Sequence, residues 1–234
     1  NIPPRHGKSQ LVSIYFPAWF LGRNPNKKVM MVSHTTDLAV DFGRKVRNLI
    51  SLDEYKDIFP TVKLAVDSKS AGRWNTNFGG EYYACGVGSA LAGRGADLLL
   101  IDDPHSEQDV INGNFSVFAK AYEWYTFGAR TRLMPGGRVA IIQTRWHMDD
   151  LTGRVTSDMV KNENSDQFQI VEFPAILESE DAEGKPIQKP LWPEFFNLEA
   201  LLRTKASMPA FQWNSQYQQT PTAEEASIVK REWW

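Results

Sequence analysis

The chain has 234 residues, of which 42% are hydrophobic and 23% charged, and its formal net charge is −2. This much apolar surface can bury a core, which argues against a disordered chain, and no stretch reaches the roughly 20 apolar residues of a membrane-spanning helix. The single cysteine, Cys85, excludes an internal disulfide and indicates a reducing compartment.

Helix and strand patterns alternate through the first 155 residues. In chain order they predict a helix over 8–21 bent at Pro17, a strand over 28–33, a helix over 37–50 capped by Asp37, a strand-rich patch over 62–88 with a hairpin turn at Gly79-Gly80, a strand over 97–101, a helix over 115–133, a turn at 135–137, a strand over 138–144 and a helix opened by Asp149 and Asp150. Apolar strands separated by helices predict an α/β fold with a mostly parallel sheet covered on both faces.

The pattern loosens beyond residue 155. We expect a strand over 168–173, a charged, exposed loop over 178–189 and two short helices over 198–205 and 210–217. The change in pattern predicts a core over residues 1–155 and a smaller subdomain over 156–234. Because the chain starts at Asn1 and stops at Trp234 in functional-looking sequence, we expect residues to be missing at both ends.

A Gly-Lys-Ser sequence at a helix start is the strongest local signal. A phosphate-binding loop needs inward-turned backbone N–H groups, a helix N-terminus aimed at the anion, a lysine for the outer phosphates and a hydroxyl for Mg²⁺. Gly7, Lys8 and Ser9 meet these needs, although Ile2 stands where the usual first glycine would be. The predicted loop comprises Pro4, Arg5, His6, Gly7, Lys8, Ser9 and Gln10. The alternative is an incidental Gly-Lys-Ser at a helix start.

Two carboxylates follow the apolar strand over 97–101. Ligands of open α/β sheets bind at the carboxyl ends of the strands, where Asp102 would hold Mg²⁺ and Asp103 would polarise an attacking water. A buried strand that ends in an acidic turn is the alternative. Together with the Gly-Lys-Ser helix about ninety residues upstream, however, the pair favours a nucleotide hydrolase.

Polar residues also end the strand over 138–144. Gln143 and Thr144 could sense the γ-phosphate or the attacking water. His147 with Asp149 and Asp150 could form a metal site, but we favour a helix cap for these aspartates. Arg94, on a glycine-flanked loop, could reach the ATP of a neighbouring subunit, and Arg5 lies in the loop itself. An ordinary solvated arginine is an equal alternative for either.

Four stretches together resemble the ATPase part of the large terminase subunit of tailed bacteriophages. They are IPPRHGKS at 2–9, GRGADLLLIDDP at 93–104, EWY and TRLMPGG within 123–137, and TRWHMDDLTGR at 144–154. A looser fifth is QYQQ at 216–219 with Pro221 and residues 230–233. They span nearly the whole chain, and their combination is more specific than any one motif.

The resemblance implies a RecA-like P-loop NTPase core with an upstream strand missing, a C-terminal lid, and ATP and Mg²⁺ as ligands. Lys8 and Ser9 would be the phosphate-loop lysine and the Mg²⁺ hydroxyl, and Asp102 the magnesium-associated acid. Gln143 and Thr144 would belong to a motif that couples hydrolysis to movement. Arg94 matches a loop arginine that acts on the neighbouring subunit's ATP.

Two departures from the family pattern affect the catalytic assignments. Terminases usually follow the first acid with a glutamate, whereas this chain has Asp103, with Glu107 as a fallback. Many also place an arginine three residues before the loop glycine, where this chain has Pro4 and carries Arg5 one position later, which puts a role of Arg5 within its own site in doubt. Family members carry a nuclease domain that would begin after Trp234, so we predict that this chain alone does not cut DNA.

The leading hypothesis is an ATP-hydrolysing motor that moves double-stranded DNA into a viral procapsid. The resemblance implies further partners: a portal protein, the small terminase subunit and other copies in a ring. It places the protein in the host cytoplasm, transiently docked on the procapsid, with no membrane association. The weak positive charge of residues 1–155 permits a local DNA-binding patch. Two alternatives are a helicase-like or recombination ATPase and a nucleotide-gated portal-docking module with little hydrolysis.

Overall fold

The computed structural model describes residues 1–68, 70–180 and 183–222, and these fall into two compact units. We call residues Gly7–Gln143 the sheet unit, and Asn1–His6 together with Thr144–Trp234 the hairpin unit. The division into residues 1–155 and 156–234 stays a prediction. Of the looser fifth motif, residues 230–233 lie outside the described residues.

A five-stranded sheet forms the centre of the sheet unit. Its strands are β1 (Lys28–Ser33), β2 (Arg73–Asn75), β3 (Glu81–Gly86), β4 (Ala96–Asp102) and β5 (Leu133–Ile142), in the spatial order β2-β3-β1-β4-β5. Only β2 is antiparallel to its neighbour, because the hairpin turn at Gly79-Gly80 joins it to β3. Ser33 pairs with both Gly86 and Asp102, so three strands end at the same edge. The mostly parallel sheet that the sequence predicts is confirmed.

The sheet unit also contains helices before β1, after β1 and after β4. They are a π-helical segment (Gln10–Tyr15) that continues into α1 (Phe16–Arg23), then α2 (Thr36–Ile50), α3 (Asp53–Ile58), α4 (Glu107–Ile111) and α5 (Ser116–Glu123), which continues through a second π-helical segment (Trp124–Ala129) into a 3₁₀ turn (Arg130–Arg132). The N-cap of α2 is Thr35, whose hydroxyl accepts from the Leu38 amide, and not Asp37 as predicted. Thr35 has the extended backbone that a capping residue needs, whereas Asp37 already lies in the first turn.

Pro17 explains the irregular winding of the first helix. Proline has no N–H to donate to the preceding turn, and here it lies at the start of α1, directly after the π-helical segment. The π-helical segment before Pro17 has a wider winding, and Pro17 lies in the first turn of α1. Both features allow the helix to continue to Arg23. The predicted helix over 8–21 is therefore present.

Two further predictions in the sheet unit have different outcomes. The helical segment predicted over 115–133 is present and ends at Arg132. The turn predicted at 135–137 is wrong, because these residues lie within β5. The pairing of β5 with β4 shifts from Leu133 opposite Ala96 to Arg138 opposite Leu98, and Gly136 has a φ of 77°. The residues of β5 between Leu133 and Arg138 therefore outnumber those opposite them in β4 and form an irregularity in the strand. Gly136 can take part in it because glycine adopts a positive φ without steric cost.

The hairpin unit contains α6 (Leu151–Lys161), the antiparallel strands β6 (Ile176–Glu180) and β7 (Pro186–Pro190), α7 (Leu198–Ala206) and α8 (Ala210–Gln216). Both C-terminal helices confirm their predictions. The loop predicted over 178–189 is wrong, since most of it belongs to the hairpin. The charged residues described in this segment are exposed, while Ile176 packs with Ala175, Leu201 and Trp213.

The strand predicted over 168–173 is also wrong. Within the hairpin unit, the Phe173 amide donates to the carbonyl of Asn1 at 3.0 Å, and the nitrogen of Asn1 donates to the carbonyl of Val171 at 2.7 Å. These two hydrogen bonds both involve Asn1, and a β-strand needs a series of such bonds along a neighbouring strand. Among the described helices, none is long and apolar enough to cross a membrane.

Candidate active site

The predicted phosphate loop is a tight turn at a helix start. Gly7 has a φ of 81°, which glycine adopts without steric cost, and its carbonyl accepts from the Leu11 amide at 3.1 Å. Lys8 and Ser9 follow at the start of the helix. Their position directly after a left-handed glycine leaves the first helical N–H groups available to an anion.

The residues before Gly7 belong to the hairpin unit. Arg5 is exposed and has a φ of 62°. His6 is buried, its ring stacks on Phe196 with 4.9 Å between ring centroids, and its Nδ1 lies 2.8 Å from the carbonyl oxygen of Pro4. The sequence contained no signal for this stacking. Gln10, in the sheet unit, is exposed.

Lys8 and Asp103 form an ion pair. The Lys8 Nζ lies 2.8 Å from Oδ2 of Asp103, and their side chains are only 11% and 27% exposed. Asp103 directly follows β4 with a φ of 43°, its amide donates to the Ile142 carbonyl at 2.9 Å, and its carbonyl accepts from the His34 amide at 3.2 Å. Neighbouring strand ends thus hold the backbone in a conformation that is uncommon outside glycine.

Asp102 is fully buried beside this pair. Its Oδ2 accepts from the Ser13 hydroxyl at 2.6 Å, and the nearby Ser9 hydroxyl also favours the charged carboxylate. Its Oδ1 has no hydrogen-bond partner among the described residues. Burial, and then the charge of Asp103, raises the pKa of Asp102 to about 6, against the hydroxyls of Ser13 and Ser9 and the charge of Lys8.

Ser13 is a site residue that the sequence analysis missed. It lies one helical turn after Ser9, and residues four apart share a helix face, so this spacing was a usable signal. Among the described residues no group of three or more His, Cys, Asp or Glu could hold a metal by itself. Mg²⁺ commonly binds through one or two protein oxygens and the substrate phosphates, and the unpaired Oδ1 of Asp102 with the Ser9 hydroxyl fits that requirement.

Replacing Asp102 with asparagine is expected to stabilise the protein without nucleotide and Mg²⁺ by about 1–3 kcal/mol at pH 7. Because the folded pKa of Asp102 is raised above its usual 3.8, the folded state binds the extra proton and ionisation opposes folding. The loss of folding stability caused by ionising Asp102 is absent below pH 3.8, grows between about pH 4 and about pH 6, and is constant above pH 6. Urea unfolding at pH 4 and pH 7 should show a benefit only at pH 7. An equal benefit at both values, or one matched by the exposed Asp57→Asn, would contradict this explanation.

Gln143 and Thr144 directly follow β5, and the boundary between the units falls between them. Gln143 is fully buried, and neither its side-chain nitrogen nor its oxygen has a hydrogen-bond partner among the described residues. An unsatisfied buried amide is costly, which is typical of a group reserved for a ligand. Thr144, in the hairpin unit, is 3% exposed, and its hydroxyl donates to the carbonyl of Ile2 at 3.5 Å.

The predicted helix cap after Thr144 is confirmed for Asp150. Its Oδ1 accepts from the Gly153 amide at 2.9 Å, its Oδ2 accepts from the Trp146 amide at 3.0 Å, and Arg145 Nε lies 2.9 Å from the same oxygen. Asp150 is fully buried, whereas the side chain of Asp149 is 63% exposed. The sequence analysis missed Arg145.

Arg94 lies elsewhere in the sheet unit. Its Nη1 is 3.3 Å from Oε1 of Glu81, and its guanidinium lies 4.4 Å from the centre of the Tyr83 ring. Tyr83 lies within β3, three residues before Gly86 at the end of the strand. The structure does not bring Arg94 to Lys8 and Asp103 of its own chain. Glu107, the fallback acid, is exposed at the start of α4.

The fold defines an α/β protein with a mostly parallel central sheet flanked by helices. The family model described as the N-terminal part of the T4likevirus-type terminase large subunit matches residues 1–233. The chain belongs to this family, as its motifs suggest.

Two solved structures are similar to the chain. The large terminase ATPase domain of Thermus phage P74-26 has a TM-score of 0.51 and 17% identity, over 94% of this chain and 86% of that one. A mutant of the same domain has a TM-score of 0.52 and 18% identity, over 94% and 87%. At these identities the likeness shows the fold, which confirms the predicted fold class. No curated protein sequence matched the chain.

Proposed function

We propose that this chain is the ATP-hydrolysing motor domain of a terminase large subunit and that it drives double-stranded DNA into a procapsid. The observation that carries the proposal is the Lys8–Asp103 ion pair beside the buried Asp102, at the carboxyl edge of a parallel sheet in a chain of this family. In open α/β sheets this edge is where ligands bind.

The chain's own residues suit phosphoryl transfer to water. Lys8 and the N–H groups at its helix start would bind the outer phosphates of ATP. To do so Lys8 exchanges the Asp103 carboxylate for a phosphate, which frees that carboxylate to orient the attacking water. Ser9 and Asp102 would hold Mg²⁺, which neutralises charge on the phosphates. The buried amide of Gln143, next to Thr144, would respond to the presence of the γ-phosphate.

Arg94 would act on the ATP of a neighbouring copy. Its guanidinium lies against Glu81 and Tyr83 of its own chain, and its side chain remains 28% exposed. A working motor would therefore be a ring of copies. Double-stranded DNA, a portal protein and the small terminase subunit would be its partners, in the host cytoplasm at the procapsid.

ATP turnover per subunit should rise with protein concentration and with added double-stranded DNA. Arg94→Ala is expected to lower this turnover by about 100-fold or more, because an arginine supplied by a neighbour stabilises charge in the transition state. Arg73→Ala is the matched control, since Arg73 Nε also pairs with Oε1 of Glu81, at 2.8 Å, and it should stay within about twofold.

Mixing Arg94→Ala with Lys8→Ala protein should restore part of the turnover, because a Lys8→Ala copy supplies the arginine that completes the intact site of an Arg94→Ala neighbour. Equal turnover of the two arginine variants, or turnover independent of concentration, would contradict the role of Arg94 between copies. Strand displacement by the protein would favour the helicase alternative. ATP binding without turnover would favour the portal-docking module.

A further inference from the structure

The QYQQ stretch is a motif that the nucleotide site does not use. It lies at the end of α8 in the hairpin unit, and two of its glutamines bind backbone groups. Gln218 Oε1 accepts from the Ile176 amide at 3.1 Å, and its Nε2 donates to the Ile176 carbonyl at 3.0 Å. Gln218 therefore holds the start of β6, as a neighbouring strand would.

Gln219 makes a different attachment. Its Oε1 accepts from the Arg145 amide at 3.4 Å, and its Nε2 donates to the Gln216 carbonyl at 2.5 Å. The side chain is 2% exposed, and its backbone has a φ of 60°. A glutamine in this left-handed conformation carries a steric cost that alanine would share and glycine would not.

Arg145 is held from three sides. The Ser215 hydroxyl donates to its carbonyl at 3.1 Å, Gln219 accepts from its amide, and the buried Asp150 binds its guanidinium. Both backbone groups of Arg145 are thus bound by side chains at the end of α8. Arg145 directly follows Thr144, so the end of α8 fixes the backbone next to the predicted coupling residues.

We infer that Gln219 is a positioning residue of the motor, which holds the peptide after Thr144 and thereby orients the predicted coupling residues Gln143 and Thr144. The inference rests on the proposed function. A motion at the end of α8 would reach Thr144 through one residue, Arg145. Misplacement of a reacting group by about 1 Å can cost about 100-fold in rate, so a hydrogen bond of this kind can affect kcat without touching the substrate.

Gln219→Gly separates positioning from stability. Glycine removes the side chain but relieves the left-handed strain, so the melting temperature should change by only about 2 °C. We expect kcat for ATP to fall about tenfold, with KM within about twofold. Gln218→Ala is the control in the neighbouring residue: it removes two hydrogen bonds to Ile176, so it should lower the melting temperature and leave kcat within about twofold.

A second measurement tests whether Gln219 acts through the coupling residues. In a Thr144→Ala background, Gln219→Gly should lower kcat by less than about twofold, because coupled residues have non-additive effects. An unchanged kcat in Gln219→Gly alone would overturn the inference and leave the ATPase intact. If kcat fell in both glutamine variants in proportion to the decrease in their melting temperatures, Gln219 would have a structural role only, which would overturn the inference. No turnover in the unaltered chain would overturn the proposed function and the inference with it.

Discussion

Lys8→Ala is expected to lower kcat/KM for ATP by about 100- to 1,000-fold, the usual cost of removing one fixed donor that stabilises transition-state charge. The Lys8 ammonium is largely buried and lies 2.8 Å from Asp103, at the start of the helix that would bind the phosphates. The loss should appear in steady-state hydrolysis with and without double-stranded DNA.

Lys27→Ala is the matched control for this variant. Lys27 Nζ also forms an ion pair at 2.8 Å, with Asp97, but it lies at the opposite end of β4. This control should keep turnover within about twofold, since an exposed ion pair contributes little. Hydrolysis by Lys8→Ala protein at the unaltered rate would mean that the Gly-Lys-Ser helix start is incidental.

Asp150→Ala is expected to lower the free energy of unfolding by about 3–5 kcal/mol, the cost of breaking a buried ion pair from one side. The carboxylate binds the Arg145 guanidinium, caps α6 and accepts from the amide of Trp146. Its removal leaves a nearly buried arginine and several donors without their acceptor. Urea unfolding, followed by circular dichroism, measures the loss.

The adjacent Asp149 provides the control. Its side chain is 63% exposed, so Asp149→Ala should change the free energy of unfolding by no more than about 0.5 kcal/mol. Combining Asp150→Ala with Arg145→Leu should cost less than the sum of the single changes, because the double variant leaves no buried charge unpaired. Equal losses in the two aspartate variants would show that the ion pair contributes little to folding.

The structure bears on which of two carboxylates the proposed mechanism should use. The sequence left Asp103 and Glu107 as candidates for the catalytic carboxylate. Asp103 contacts Lys8, whereas Glu107 is exposed at the start of α4. This contact supports Asp103 in the proposed mechanism. The shorter side chain reaches Lys8 because the positive φ of Asp103 turns the residue sharply at the end of β4.

The sequence by itself determined most of the helices and strands of the sheet unit and the class of fold. The strands over 28–33 and 96–102 are apolar runs bounded by polar residues, and a parallel sheet buried on both faces needs such runs. The helix after Gly7 and the acids after β4 were also readable, because their chemistry depends on residue types at short spacing. These signals identified Lys8, Ser9 and Asp102 as candidates.

Only the tertiary structure decided which distant groups meet. The contacts of Lys8 with Asp103, of Ser13 with Asp102 and of Gln219 with Arg145 join residues far apart in the chain. Local periodicity contains no information about such pairs, since they depend on how strands are ordered and where each one ends. The β6–β7 hairpin was missed for a related reason: its charged residues indicate a loop, and the packing of Ile176 against Trp213 is what holds it.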